Sequence, residues 1–333
     1  MSRVSYDEMK SELLRVLLKN GFSSERAELC ARMFADASRD GVYSHGLNRF
    51  PSFIEQIKKG NVVVDAEPVR ITAWGALERW DGQYGPGNLN AHAAMERAIE
   101  LSREHGLGAV ALKNTNHWMR PGNYGWQAAE AGCIGICWTN TMPNMPPWGS
   151  SESKIGNNPI VLAVPREGGH VVLDMAMAQF SYGQLQSYIF RGEPLPIEGG
   201  YDDAGNLTRD PAAIMRTQRT LPIGYWKGSG LSIMLDLIAV MLSGGKSTYD
   251  LAQEGGERGI SQVFLAFDMT RDPSHQELAE RIEQIVQDLQ AAEPAPGLGS
   301  VRYPGEETLR RRQINLEQGI PVEPTIWQQV LEL

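Results

Sequence analysis

EHGLGAVALKN, Glu104 to Asn114, decides what kind of α/β protein this chain can be. Its core, Gly106-Leu-Gly108-Ala-Val-Ala111, matches a relaxed GxGxxA dinucleotide fingerprint. That fingerprint works only where a strand precedes it and a helix follows, because the phosphate must meet the helix N-terminus. Here the polarity is reversed. Asn90 to Glu104 carries Ala94, Ala98 and Leu101 at helical spacing, whereas Gly108 to Asn114 reads as a strand. A Rossmann cofactor loop is excluded at this point, and an α/β fold of another kind is expected.

Gly245-Lys-Ser-Thr248 offers the other nucleotide motif, the end of a P-loop. The first glycine of GxxxxGK would then fall at Val240, inside the apolar Gly230–Leu242 stretch. A helix C-terminus suits these residues better, with Gly244 as its cap and Lys246 near the negative end of the dipole.

Toward the N-terminus the pattern is helical. Ser5 and Glu8 form a capping-box pair ahead of Met9, Leu13, Val16 and Leu17. Ala27, Cys30, Ala31, Phe34 and Ala37 then share a face, and Phe50, Phe53, Ile54 and Ile57 run to Gly60. From PVRITAW (68–74) the character is mixed. Tyr124–Ala131 and Gln276–Gln290 read as helices, IGICWTN ending at Asn140 and Ser261–Phe267 as strands, and Pro159–Pro165 with His170–Asp174 as a hairpin. Beyond Glu306 helical patterns return. The expected division is a mainly helical lobe, 1–70 with 308–333, and an α/β lobe, 71–307. Gly192–Pro211 is the longest stretch without periodicity, which favours ordered function or a subunit contact over slack.

At 333 residues the chain can bury a large core in two connected lobes. The net charge of −9 and the scattered Lys and Arg argue against nucleic acid or an anionic membrane as partner. No uninterrupted run of about 18 apolar residues predicts a span, and the N-terminus lacks the apolar core of a signal peptide. The three cysteines, Cys30, Cys133 and Cys137, have no CxxC spacing and are expected as buried thiols of a cytoplasmic protein.

Several polar islands could carry chemistry. In YSHGLNRFP (Tyr43–Pro51), Ser44, His45 and Arg49 leave one short segment. A histidine can move a proton near neutral pH, and an arginine fork can hold a carboxylate, a pairing suited to a 2-oxo or 2-hydroxy acid. Pro51 disfavours helix at Phe50, so a capped helix start with a solvated arginine is the other reading. NTNHWMRPGNYGW (Asn114–Trp126) follows a strand and offers Asn114, Asn116, His117, Arg120 and Tyr124 to a ligand. TNTMPNMPPWG (Thr139–Gly149) and IGNNP (Ile155–Pro159) are stiff loops that either present backbone to a ligand or only brace it. Gly224–Gly230, with Lys227, opens an apolar helix and resembles an anion site. His92, His105 and His275 lie in ordinary helical or turn contexts. No HxH or HExxH spacing supports a zinc site, and GSG at 228–230 lacks the flanks of a nucleophile elbow.

Taken in order, these islands resemble the malate/L-lactate dehydrogenase family of NAD(P)-dependent oxidoreductases that lack a Rossmann fold. The resemblance rests on SHG followed by Arg49, the NxNH loop, Asn158-Pro159 running to Pro165, the Asp174-Met175 strand end, Lys227-Gly-Ser-Gly230 and the late Pro304-Gly-Glu306. It spans nearly the whole chain. It implies a non-Rossmann α/β arrangement, a homodimer, and an extended cofactor near the subunit interface. It also implies His45 as proton donor, with Ser44 and Arg49 beside the substrate and His117 as the NxNH histidine. The cofactor would fall on His170, Val171, Val172, Leu173, Asp174, Met175 and Ala176, on Trp226 and Lys227, and on Gly305, Glu306 and Glu307. Three departures stand out: Asn157 replaces the usual threonine, an extra residue sits near Gly168-Gly169, and PGEE leaves NADH against NADPH open.

The mechanism expected is hydride transfer from NADH to the C2 carbonyl of an open-chain, sugar-derived 2-oxo acid. His45, as imidazolium, protonates the alkoxide, Arg49 holds the carboxylate, and His117 and Arg120 contact the polyol or the carboxylate. Relatives acting on malate, ureidoglycolate or a cyclic imino acid are alternatives, as are a non-catalytic NADH sensor and a sugar-acid lyase or hydratase.

Overall fold

The computed structural model describes residues 2–333. A short strand, β1 (Ser2–Val4), leads into helices α1 (Tyr6–Lys19), α2 (Ser24–Arg39) and α3 (Phe50–Lys58). Ser5 caps α1 by accepting the Glu8 N–H at 3.1 Å, and Met9, Leu13, Val16 and Leu17 are buried as their spacing requires. Then follow β2 (Val69–Trp74), β3 (Leu77–Asp81), α4 (Gly87–His105), β4 (Leu107–Thr115), α5 (Gly122–Glu130), β5 (Cys133–Thr139), β6 (Ile160–Val164) and β7 (Val171–Met175). After β7 come α6 (Tyr182–Arg191), β8 (Gly200–Tyr201), β9 (Leu207–Thr208), α7 (Pro211–Thr217), α8 (Trp226–Ser243), α9 (Thr248–Glu254), β10 (Ile260–Asp268) and α10 (His275–Gln290). The chain ends with α11 (Glu306–Gln318), β11 (Ile320–Val322) and α12 (Pro324–Glu332).

A seven-stranded mixed sheet, ordered β2-β3-β4-β10-β5-β6-β7, is the centre of the fold. Only β3 and β4 pair in parallel; every other neighbour pair is antiparallel. Strand alternation sorts its side chains. Val110, Leu112, Phe264 and Ala266 join the large core with α4, α5 and the N-terminal helices, while Ala111, Val263 and Trp138 face α8 on the other side.

Reversed polarity holds at the dinucleotide look-alike. Gly106 (φ +83°) ends α4 and β4 begins at Leu107. A Cβ on Gly108 would lie 1.9 Å from the Ala98 carbonyl oxygen, so this glycine serves close helix–strand packing. Likewise, Gly244 (φ +64°) terminates α8, and Lys246 pairs with Glu254.

Some elements were not expected. β3 carries LERWD, whose charges hide a strand; Glu78 is buried only because Arg70, Arg97 and the Trp80 indole all donate to its carboxylate. The aperiodic 192–211 region contains the β8–β9 hairpin and packs Leu195 with Phe180, Leu185 and Ile214 in a satellite cluster. β1 pairs with β11, joining the two ends of the chain. α8 is long and apolar enough by composition to cross a bilayer, yet Ser232, Leu235 and Ala239 bury one face on the sheet, and Trp138 donates to the Leu235 carbonyl at 3.0 Å. Its other face leaves Met234, Leu237 and Met241 exposed.

Candidate active site

The YSHGLNRFP segment is not a continuous helix. Tyr43–His45 and Leu47–Arg49 form two 3₁₀ turns, and α3 starts at Phe50 with Pro51 in its first turn. The glycine between the turns has a steric reason: a Cβ on Gly46 would lie 2.2 Å from Ser38 Oγ. That hydroxyl accepts the Leu47 N–H at 2.8 Å, pinning the segment to α2. Leu47 and Phe50 are buried as anchors, which turns Ser44, His45 and Arg49 toward a cleft.

The second histidine arrives on the loop after β4. Asn114 (φ +52°) and Met119 (φ +63°) both adopt left-handed backbone, one at each side of it. Asn116 donates to the Tyr84, Gly85 and Asn61 carbonyls, and Asn114 to Asp81. These two asparagines therefore brace the loop, and the Tyr124 hydroxyl is spent on the Trp118 carbonyl. His117 is what the loop delivers. Its Nδ1 accepts the Met119 N–H at 3.0 Å, leaving Nε2 as the ring nitrogen that can face a ligand. The His45 and His117 rings stack with centroids 5.8 Å apart, and Ser44 Oγ lies 3.0 Å from His45 Nδ1.

A cavity of about 520 Å³ receives Ser44, His45, Arg49, His117, Arg120, Val172, Asp174, Met175 and Ala176. A second, of about 600 Å³, continues past Arg49 and His117 along Ser52, Gln56 and Arg258. The field inside is positive. Burial, then Arg49 and Arg120, push His45 down to about 4. Burial, then Arg49 and His45, hold His117 well below its usual range. Arg49 makes no ion pair among the described residues, whereas Arg120 is buried and bonded to Asp40. The Asp174 carboxylate opens to the cavity and accepts the Gly122 N–H at 2.8 Å. Although the residue is open to the cavity, desolvation by the surrounding protein raises its pKa, against the opposing pull of Arg120 and that hydrogen bond.

The remaining expected cofactor positions divide. On β7 the alternation sends Val172 and Asp174 to the cavity, while His170, Val171 and Leu173 do not line it. Gly305 to Glu307 lies against the same edge strand. Val172 N–H donates to the Pro304 carbonyl at 2.9 Å, and Gly305 (φ +99°) has the His170 oxygen and Val172 nitrogen 3.1 Å from any added Cβ. Glu307 pairs with Arg310 and Arg311 beside a shallow pocket that shares Val42 and Thr308 with the main one. Trp226 and Lys227 stand apart on an exposed surface with Tyr225 and Trp148. At the anion site expected there, the N–H groups of Lys227, Gly228 and Ser229 bond to the Gly224, Ile223 and Tyr225 carbonyls, which leaves the Trp226 N–H and the Lys227 ammonium as its donors. The stiff loops do reach the cavity, through Thr139, Thr141, Asn144, Asn157 and Pro159. Asn157, the departure from the family pattern, accepts hydrogen bonds from Thr141 Oγ1 and Asn144 Nδ2 at 3.1 and 3.0 Å. Asn144 belongs to the Thr139–Gly149 loop but carries no motif of its own, and Asp40, in the Ser38-Arg39-Asp40 run at the end of α2, is brought behind the site only by the fold.

Residues 4–331 match the model of the malate/L-lactate dehydrogenase family. A protein of Citrobacter koseri named 2,3-diketo-L-gulonate reductase is 47% identical over 332 residues, covering 99% of this chain and all of that one. One of Klebsiella pneumoniae with the same name matches equally, at 47% and the same coverage. Among solved structures, sulfolactate dehydrogenase from Methanocaldococcus jannaschii superposes with a TM-score of 0.91 at 28% identity, covering 99% of this chain and 96% of that one. The match is full-length in both sequence and fold, and the chain belongs to the malate/L-lactate dehydrogenase family of oxidoreductases.

Proposed function

We propose that the chain is an NADH-dependent reductase that converts 2,3-diketo-L-gulonate to 3-dehydro-L-gulonate. The observation that carries this reading is the convergence of Ser44, His45, Arg49 and His117 on one cavity whose wall is the Asp174–Ala176 strand end. The full-length similarity to the Citrobacter and Klebsiella reductases supports the choice of substrate. The large second cavity, with Ser52 and Gln56 in its wall, gives a hydroxylated tail more room than lactate needs.

The residues present fit a nicotinamide. Asn144 Oδ1 is buried in the lining without a hydrogen-bond partner, an acceptor suited to a carboxamide. Bound there, the reduced nicotinamide supplies the hydride. The chain's residues do the rest. Arg49, free of any carboxylate of its own, holds the substrate carboxylate. His117 Nε2–H and Arg120 bond to the neighbouring oxygens. Burial and, after it, the charges of Arg49 and Arg120 hold His45 neutral; an anionic substrate offsets the arginine part, so the imidazole takes up a proton on binding and passes it to the alkoxide. Ser44 orients the ring through Nδ1.

We further propose a homodimer formed through the exposed apolar face of α8. Trp226 and Lys227 stand at its start, outside the single-chain cavity. Their assignment to the cofactor rests on that pairing. The test is NADH oxidation against a panel of 2-oxo acids. Best turnover of 2,3-diketo-L-gulonate supports the reading. Preference for malate, ureidoglycolate or a cyclic imino acid replaces the substrate, and NADH binding without turnover replaces the enzyme with a sensor.

A further inference from the structure

Asp40 lies directly behind the candidate site, at the end of α2, and is 3% exposed. Arg120 Nη1 donates to its Oδ2 at 2.5 Å. Arg312, from α11, grips both oxygens through Nε and Nη2 at 2.8 Å each. Arg39 donates to Oδ1 at 2.9 Å and also pairs with Asp36. Arg39, Arg120 and Arg312 thus gather around Asp36 and Asp40, with the Asp174 carboxylate near Arg120 on the cavity side. Of the three arginines, only Arg120 lines the candidate cavity; Arg39 and Arg312 line a pocket behind it. Arg120 Nε is buried without a partner, so the guanidinium is not saturated by its contacts in the protein. Arg312 also lies 4.8 Å over the ring of Trp126, a second residue of the cavity wall.

We infer that Asp40 is a positioning residue for substrate binding: it fixes the Arg120 guanidinium in the cavity wall, where this anchored and unsaturated group meets the carboxylate or the adjacent oxygen of a 2-oxo acid. The inference rests on the proposed reductase activity. A free arginine side chain must lose rotamer freedom when an anion binds, whereas one already held by a carboxylate has lost it on folding. Arg49, with no ion-pair partner among the described residues, lines the same cavity and its continuation and is the second cation available to the substrate. Asp40 touches no reacting atom; it acts through Arg120.

The experiment is steady-state kinetics of full-length Asp40→Asn, with KM determined separately for the 2-oxo acid and for NADH. The expected result is an acid KM raised about tenfold to a hundredfold, with the NADH KM within about twofold of wild type. Equal or unchanged KM values, or a loss of kcat alone, would overturn the inference, since a purely structural role has no reason to single out the acid. If Asp40→Asn does not fold, Arg312→Gln removes the bidentate grip and leaves Arg120 and Asp40 in place. A smaller acid-selective rise is then expected, and an unchanged acid KM counts against Asp40. If wild type reduces no 2-oxo acid, the reductase reading fails by itself. Asp40 is then tested by calorimetry with oxamate as the carboxylate probe: weaker binding to the variant supports it, and equal binding overturns it.

Discussion

At the scale of the residue, His45 shows how a fold sets the working state of a side chain. The unperturbed pKa near 6.5 belongs to an isolated imidazole; burial together with Arg49 and Arg120 brings it to about 4. The unfolded chain therefore takes up a proton that the fold refuses. Stability is expected to fall as pH drops from about 6.5 to about 4, by at most about 3 kcal/mol from this group. Urea unfolding of wild type and His45→Asn across that window measures it, and parallel pH curves for the two would remove the effect. The same shift bears on turnover. With His45 neutral in the free protein, kcat/KM for reduction should fall by about tenfold per pH unit through neutrality, with the alkaline limb of kcat displaced upward by the bound anion. A pH–rate profile flat between about pH 5 and 8 would take His45 out of the donor role. His45→Asn should lower kcat by about 10²–10⁴-fold while NADH binding, followed by fluorescence, survives. Ser44, His45, Arg49 and His117 were legible in sequence because each sits in a short, dense polar island. Asp40 was not, because its meaning depends on Arg120 and Arg312, 80 and 272 residues away.

Elements place these residues through glycines and strand alternation. Gly87 starts α4 beneath the histidine loop, and a Cβ there would lie 2.1 Å from the Asn116 oxygen and 2.4 Å from that of His117. Since backbone must shift, Gly87→Ala should displace His117, raise the substrate KM, and destabilise by about 1–3 kcal/mol, the range for overpacking. Kinetics with thermal unfolding would check both, and a wild-type KM would show that the loop does not depend on this contact. Gly305→Ala meets both a left-handed φ and the β7 backbone, and should weaken NADH binding more than acid binding. Helices with a strong apolar period, such as α1, α2 and α10, were readable to within a residue or two. β3 was not readable, because its Glu78 becomes apolar-compatible only once Arg97 and Arg70 arrive. Nor was α6, whose one buried residue, Leu185, leaves no stripe.

For the whole molecule, the decisive feature is one large core that runs from the N-terminal helices through α4 and α5 to one face of the sheet. The two lobes proposed from sequence share that core, so calorimetry is expected to record a single cooperative transition; two resolved transitions would show that the lobes unfold separately. The opposite sheet face carries α8, whose Met234, Leu237 and Met241 are 51%, 55% and 77% exposed. An apolar strip of this kind fits the proposed homodimer. Leu237→Glu should shift sedimentation from dimer to monomer, and a wild-type boundary would place the contact elsewhere.

The amino-acid order by itself determined the α/β class, the exclusion of a Rossmann loop and of a P-loop, the helical ends and the polar islands. These are local matters, decided by periodicity, by caps and by which element precedes a glycine. Only the tertiary structure decided that the islands on the 3₁₀ turns before α3, on the β4 loop and at the end of β7 share one cavity. It also decided that Asn114 and Asn116 brace rather than bind, and that three N–H groups at the α8 start are already bonded to nearby carbonyls. The reason is physical. Hydrogen-bond satisfaction and the field on a buried histidine depend on groups far apart in sequence, and no local pattern records which of them the fold will bring within reach.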